Sequence, residues 1–367
     1  MADAPLHLIR AAVRAEHAYR VPTASDAPAK LDQNESPFDL PDEVKRAALE
    51  AFARTPWNRY PDDRPHRLAA RLAAAAGLPR EAVMVGRGSN EITHTLGLSF
   101  LAPGTPVVLP SPMFSLYASV ARMHEARIVD VPAGARFAHD PDAILEAAQA
   151  ARAPLTVVTT PNNPTGQIIP HAGLERLAAG VPGFLLIDEA YHEFLTGPTA
   201  LDLLAAHPNV LVLRTFSKAM GLAGLRLGYL AGHPEAVQML ERARLPFLVD
   251  RLSEEVALAV LDRPDLLADR VATLLAERER LLDRCAALGV ETVPSAANFF
   301  LARTALPVPE LRSRLAAEGV LVRDVSGYPA LAPRDGQPGW IRVSVGTPDE
   351  NRRLEAALEA ALASATA

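Results

Sequence analysis

The chain contains only three lysines, at 30, 45 and 218, among 37 basic residues. Lys218 sits in Thr215-Phe-Ser-Lys218-Ala-Met-Gly-Leu-Ala-Gly-Leu-Arg226, downstream of Asp188-Glu-Ala-Tyr191. An arginine guanidinium stays protonated at any physiological pH and offers no free amine to a carbonyl. A lysine in a partly desolvated site beside another cation does, because both effects disfavour its protonated form. Arg226 is the candidate for that cation, and Lys218 the candidate nucleophile for a Schiff base. Asp188 closes the apolar run Phe184-Leu-Leu-Ile187. A carboxylate there is half buried and costly unless it faces a cation, a role that a protonated pyridine nitrogen fills. Tyr191, three residues on, places a phenol on the same side, able to hydrogen-bond a ring hydroxyl.

Other residues supply the rest of a pocket. Gly86-Arg-Gly88-Ser89-Asn90-Glu91 opens a helical pattern, and such a loop presents free backbone N–H groups and a positive dipole end to a phosphate. A dinucleotide fingerprint needs glycine at 91, where the chain has Glu. Arg226, with the hydroxyls of Thr215 and Ser217, completes a phosphate cup through the paired hydrogen bonds of a guanidinium. The turn-forming segment Pro161-Asn-Asn-Pro-Thr-Gly166 aims Asn163 at a ligand oxygen. Phe114, in Pro112-Met-Phe-Ser-Leu-Tyr117, can stack on an aromatic ring. In chain order these are a phosphate loop, a stacking aromatic, an Asn loop, an Asp with a Tyr, and a Ser-Lys with an Arg eight residues later. Together they describe a site for pyridoxal 5′-phosphate, with Lys218 on the aldehyde and Asp188 on the ring nitrogen.

Positioning these residues requires an α/β scaffold. Between about 80 and 232, short apolar runs alternate with longer helical patterns: Val83–Gly86, Val107–Leu109, Ile128–Val131, Leu155–Val158, Phe184–Ile187, Val210–Leu213 and Leu227–Ala231. Such alternation predicts crossover helices and a mostly parallel sheet, whose ligands bind where strands end. After about 250 come a long helical stretch (264 to 288), Asn298–Ala302, a helix near 308 to 318, Val320–Val322, Trp340–Ser344 and a final helix from about 349. The predicted organisation is an N-terminal arm over 1–35 that reads as no core element and joins the small domain or a dimer partner, a large cofactor-binding domain over 36–249 and a small α/β domain over 250–367.

At this point the chain resembles the fold-type-I aminotransferases, and nearly all of it resembles histidinol-phosphate aminotransferases. The segments that carry the resemblance are Leu31-Asp-Gln-Asn-Glu-Ser-Pro37, Asn58-Arg-Tyr-Pro-Asp62, Gly86 to Glu91, Pro161 to Gly166, Asp188-Glu-Ala-Tyr191, Ser217-Lys218 to Arg226, and Ile341-Arg-Val-Ser-Val-Gly-Thr-Pro348. The resemblance implies that Ser89, Asn90, Thr215, Ser217 and Arg226 hold the cofactor phosphate, which Tyr60 reaches from the partner subunit of a homodimer. It implies Asn163 and Tyr191 on the ring oxygen, Asp188 on the ring nitrogen and Phe114 on the ring face, where the family commonly has Tyr. Arg342 would hold the anionic end of either substrate, with Arg323 and Tyr19 helping. The implied reaction is a ping-pong transfer, in histidine biosynthesis, between glutamate and imidazole-acetol phosphate, giving 2-oxoglutarate and histidinol phosphate. An aromatic or broad-specificity aminotransferase and a threonine-phosphate decarboxylase share the same pocket and are the alternatives.

Composition limits other readings. A hydrophobic share of 49% with 22% charged residues suits a soluble globular enzyme, and a net charge of −6 argues against a nucleic-acid partner. The single cysteine, Cys285, cannot form an intramolecular disulfide; it reads as a packed or idle thiol, and a reducing cytoplasm is the simplest compartment. The histidines show no metal-ligand spacing, so no metal is expected, and no apolar run reaches the roughly 18 residues of a membrane helix.

Overall fold

A computed structural model describes residues 4–16 and 26–363. Its strands are β1 (Ala29–Leu31), β2 (Val83–Gly86), β3 (Pro106–Ser111), β4 (Arg127–Pro132), β5 (Leu155–Thr159) and β6 (Phe184–Asp188). They continue with β7 (Val210–Thr215), β8 (Gly228–Gly232), β9 (Glu291–Val293), β10 (Phe299–Arg303), β11 (Val320–Asp324) and β12 (Ile341–Ser344). Seven form one sheet in the order β2-β8-β7-β6-β5-β3-β4, and five form another in the order β1-β11-β12-β10-β9.

The central strands β5, β6 and β7 are aliphatic runs because helices cover both faces of the larger sheet. Side chains alternate across it: Leu185 and Ile187 pack against helices Pro141–Ala151 and His171–Gly180, whereas Leu186 packs on the opposite side with helices Gly88–Phe100 and Ser115–Met123. β3 to β7 run parallel, and β8 lies antiparallel between β7 and β2. The parallel strands therefore all end at one edge, where Phe114, Asn163 and Lys218 follow β3, β5 and β7 and Asp188 ends β6.

Two regions differ from the sequence expectation. The end of the arm is part of a core: β1 pairs in parallel with β11, and Ala29 and Leu31 are 0% and 1% exposed. A three-residue strand is too short to show periodicity, so only the partner strand reveals it. Helix Arg251–Leu261, beyond the expected division at 249/250, buries Val256, Ala257 and Val260 with Leu68, Leu72 and Val83 of the larger layer.

Helices Pro264–Ala287, Val308–Ala317 and Pro348–Ala363 cover the smaller sheet. Cys285 is buried among them, and burial pushes its thiol up to about 12, out of reach of thiolate chemistry at neutral pH. Tyr191, Phe194 and Ala219 from the larger layer share this core with Phe299 and Phe300, which ties the two layers together next to the strand ends. Among the described residues no helix is long and apolar enough to cross a membrane, and no group of three or more His, Cys, Asp or Glu could hold a metal ion.

Candidate active site

A cavity of about 1010 Å³ opens at the carboxyl ends of the parallel strands, between the two sheets. Ser89, Asn90, Phe114, Asn163, Asp188, Tyr191, Thr215, Ser217, Lys218, Arg226, Arg323 and Arg342 all line it. Residues up to 253 positions apart in sequence thus converge on one volume. Two expected residues do not. Tyr60 is 77% exposed and stacks on Phe247, with ring centroids 4.8 Å apart, outside the cavity of its own chain. Tyr19 lies outside the described residues.

Lys218 keeps a half-buried face on the cavity, with protein packed densely around the rest. Its Nζ donates to the carbonyl of Gln33 at 3.0 Å. Burial brings the amine down to about 7; Arg342 adds to that, Glu35 opposes it, and Arg226 and Lys30 lower it further. Among the cations the sequence reading gave the leading part to Arg226, but Arg342, delivered from the other sheet, is the stronger neighbour. A neutral amine is therefore present near physiological pH.

Asp188, the last residue of β6, is 7% exposed and is raised to about 6 by burial. Two donors oppose that rise: the Tyr117 hydroxyl on Oδ2 at 2.7 Å and the Ala190 N–H on Oδ1 at 3.0 Å. Among the described residues no cation stands at ion-pair distance from it. A buried carboxylate with a lone pair toward a cavity fits a cationic ring nitrogen, which compensates its burial. Its neighbour Glu189 has a structural part, clamping Arg214 (Oε2 to Nη2, 2.8 Å) and accepting from the Ala200 N–H at 2.7 Å.

The end of the cavity around Ser89 and Arg226 is built from close approaches. Helix Gly88–Phe100 begins at the cavity, which Ser89 and Asn90 line, and the first turn of a helix leaves its N–H groups without intrahelical partners. A Cβ at Gly228 would stand 2.5 Å from the Ser89 nitrogen, and one at Gly88 would stand 2.9 Å from Nη2 of Arg226. Glycine at both positions lets β8 and the arginine pack directly on the loop. Arg226, at φ +54°, places Nη1 2.9 Å from the Ala223 carbonyl and 3.4 Å from the Ser217 hydroxyl. This donor set suits a phosphate dianion.

The two asparagines of the 161–166 loop divide their work. Asn162 is fully buried and staples the loop, donating at 2.8 Å to both the Pro112 carbonyl and Thr165 Oγ1. Asn163 faces the cavity, where its Oδ1 accepts from Arg342 Nη1 at 2.6 Å. Gly166, at φ +73°, ends the loop against Ser295, whose Oγ lies 2.1 Å from where a Cβ would stand. Gly166→Ala will therefore cost at least about 1–2 kcal/mol from backbone handedness alone, read as a lowered thermal midpoint. An unchanged midpoint would contradict this packing.

Sequence reasoning missed two residues of the site. Tyr117 follows Phe114 by three positions on helix Ser115–Met123, and that spacing was the available signal for a shared face. Asn34, at φ +53° and 1% exposed, donates through Nδ2 to the Tyr191 hydroxyl at 2.9 Å and exchanges hydrogen bonds with Ser344. Only the tertiary fold brings 34, 191 and 344 together. The same segment holds the other end of the cavity: Arg342 Nη2 donates to the Asp32 carbonyl at 2.9 Å.

Comparison with known proteins identifies the family. Residues 28–358 match the model of the family described as aminotransferase class I and II. The histidinol-phosphate aminotransferase of Chlorobaculum tepidum is 40% identical over 92% of this chain and 95% of its own. That of Chlorobium luteolum is 42% identical over 94% and 95%. A crystal structure of histidinol-phosphate aminotransferase from Sinorhizobium meliloti in complex with pyridoxal-5′-phosphate superposes with a TM-score of 0.83 at 28% identity, covering 92% of this chain and 91% of that one. The fold is that of the fold-type-I enzymes, the cofactor is pyridoxal 5′-phosphate, and this chain belongs to the aminotransferase class I and II family.

Proposed function

We propose that this aminotransferase moves an amino group between glutamate and imidazole-acetol phosphate, yielding 2-oxoglutarate and histidinol phosphate. The observation that carries the reading is a pair of guanidiniums. Arg323 on β11 and Arg342 on β12 are direct cross-strand partners, and both line the cavity. One guanidinium suffices for a carboxylate; two suit the dianionic phosphate of the second substrate. The relatives' names agree with that choice.

When bound, pyridoxal phosphate supplies an aldehyde for the amino group and a pyridinium ring that draws electrons from the substrate's α-carbon. In this reading the protein does the rest. Ser89, Asn90, Thr215, Ser217 and Arg226 bind the cofactor phosphate. Phe114 packs on the ring face, Asn163 and Tyr191 orient the ring oxygen, and Asp188 keeps the ring nitrogen protonated. Burial holds the Tyr191 phenol up near 12, so it stays a proton donor. The Lys218 amine, at about 7, accepts a proton from the substrate carbon and returns it on the other side of the transfer. Arg342 selects anionic substrates, with Arg323 for the phosphate.

Residues 26–35 are proposed to serve as a strap that closes the cavity, with the larger functional unit extending through helix Arg251–Leu261. The exposed Tyr60 and Phe247 fit a homodimer in which Tyr60 enters the partner's phosphate cup. Sedimentation at assay concentration tests this: an active monomer excludes it. Localisation in the cytoplasm is part of the same proposal.

The substrate test is competition between histidinol phosphate and phenylalanine, with 2-oxoglutarate as acceptor. Histidinol phosphate should dominate, and Arg323→Ala should lower its kcat/KM about 10- to 100-fold, the value of a charge-assisted contact, while leaving glutamate nearly unchanged. Preference for phenylalanine would favour the broad-specificity reading. Release of carbon dioxide from threonine phosphate would favour the decarboxylase.

A further inference from the structure

We infer that Tyr117 is a positioning residue for the cofactor: its hydroxyl locks the Asp188 carboxylate in the ionised form and orientation that face the ring nitrogen. The inference rests on the proposed contact between Asp188 and that nitrogen. Tyr117 is 5% exposed, and its phenol lies 2.7 Å from Asp188 Oδ2. The Ala190 N–H takes Oδ1 at 3.0 Å. A backbone donor on one oxygen alone leaves the carboxylate free to turn about its Cβ–Cγ bond. A second donor, from a different element, fixes the plane.

The direction of the proton follows from the surroundings. Burial and the adjacent carboxylate hold the Tyr117 phenol well above its ordinary range, so it donates rather than accepts. A donor to a carboxylate favours the anion. That effect opposes the burial of Asp188, which otherwise favours a neutral acid unable to retain a proton on the ring. The same helix carries Phe114 as its N-cap, with the Phe114 and Tyr117 rings meeting edge-on at 6.4 Å. Ring-face contact and carboxylate orientation are therefore set by one rigid element, and Thr93, on the helix that opens the phosphate cup, stands against the same phenol oxygen.

The test is Tyr117→Phe, which keeps the ring and removes only the hydrogen bond. Dissociation constants are measured by titrating apoprotein with pyridoxal phosphate and with an analogue whose ring nitrogen is replaced by carbon. The variant should bind pyridoxal phosphate roughly 10- to 100-fold more weakly, the value of a hydrogen bond to a charged group, and the deficit should nearly vanish with the analogue. Equal losses with both ligands would show that Tyr117 acts by packing alone and overturn the proposal, as would no loss with either. If the unaltered protein binds the two ligands equally, the Asp188 contact itself fails, and the inference with it. A second measurement guards against misfolding: in the visible spectrum of the loaded variant, the pH midpoint should move relative to the unaltered protein, whereas a purely structural defect would lower occupancy without moving it.

Discussion

Lys218→Ala will lower transamination by about 10³-fold or more, because one side chain supplies both the nucleophile and the proton carrier, and general acid–base catalysis alone contributes about 10²–10⁴. Neither of the other two lysines can stand in. Lys30 is held by Asp32 at 3.1 Å and by Glu35, and these hydrogen bonds raise its affinity for the proton in spite of burial. Lys45 is paired with Asp39, away from the cavity. Borohydride reduction of the loaded enzyme should label residue 218 alone; a label elsewhere, or turnover retained by the variant, would refute the assignment. The same substitution site gives a second readout in the apoprotein. The folded amine, at about 7, lies below its ordinary 10.5, so between those values the unfolded chain binds more protons and stability rises with pH. The penalty is complete below about pH 7. Apo Lys218→Met should therefore gain most in thermal midpoint, relative to the unaltered apoprotein, under mildly acidic conditions, and little near pH 10.5.

The convergence of Phe114, Asn163, Asp188 and Lys218 on one cavity was legible in the sequence because these residues sit at the carboxyl ends of strands that are themselves strong local signals. A buried parallel strand such as Phe184–Asp188 announces its end by the first charge it meets, and Lys218 is conspicuous in a chain that otherwise relies on arginine. The substrate end was read from resemblance rather than from residues: Ile341-Arg-Val-Ser344 alone suggests an outward arginine, yet Arg342 is 8% exposed and faces Phe299 and Asn163. Its inward direction depends on Asp32 and Asn163, far away in sequence. Asn34 and β1 were unreadable for the same reason: a three-residue strand and a left-handed asparagine gain meaning only when β11 and Ser344 arrive beside them. Tyr117 lies between these cases, since helical spacing put it on the face of Phe114 but not against Asp188.

Asp188→Asn will reduce turnover by about 10²–10³-fold, comparable to removing a preorganised electrostatic group from an active site. The substitution preserves shape. The amide oxygen can keep the Ala190 N–H, and the Tyr117 hydroxyl can rotate to accept from the new NH2 group, so loss of activity reports on charge more than on packing. A neutral amide cannot keep a proton on the ring nitrogen, and the ring then accepts electrons poorly. The apoprotein should respond in the opposite sense. Asp188 titrates at about 6 when folded, above its ordinary 3.8, so the folded chain binds more protons between those values. The stability linked to that proton is fully present below pH 3.8 and is lost as pH rises through 6. Relative to the unaltered apoprotein, Asp188→Asn should gain thermal midpoint between pH 4 and 7 and then level off. Activity lost and apoprotein stability gained at the same residue is the signature of a buried charge kept for the ligand it faces. A variant that keeps most of its turnover, or whose stability difference is flat across that pH range, would remove Asp188 from the chemistry.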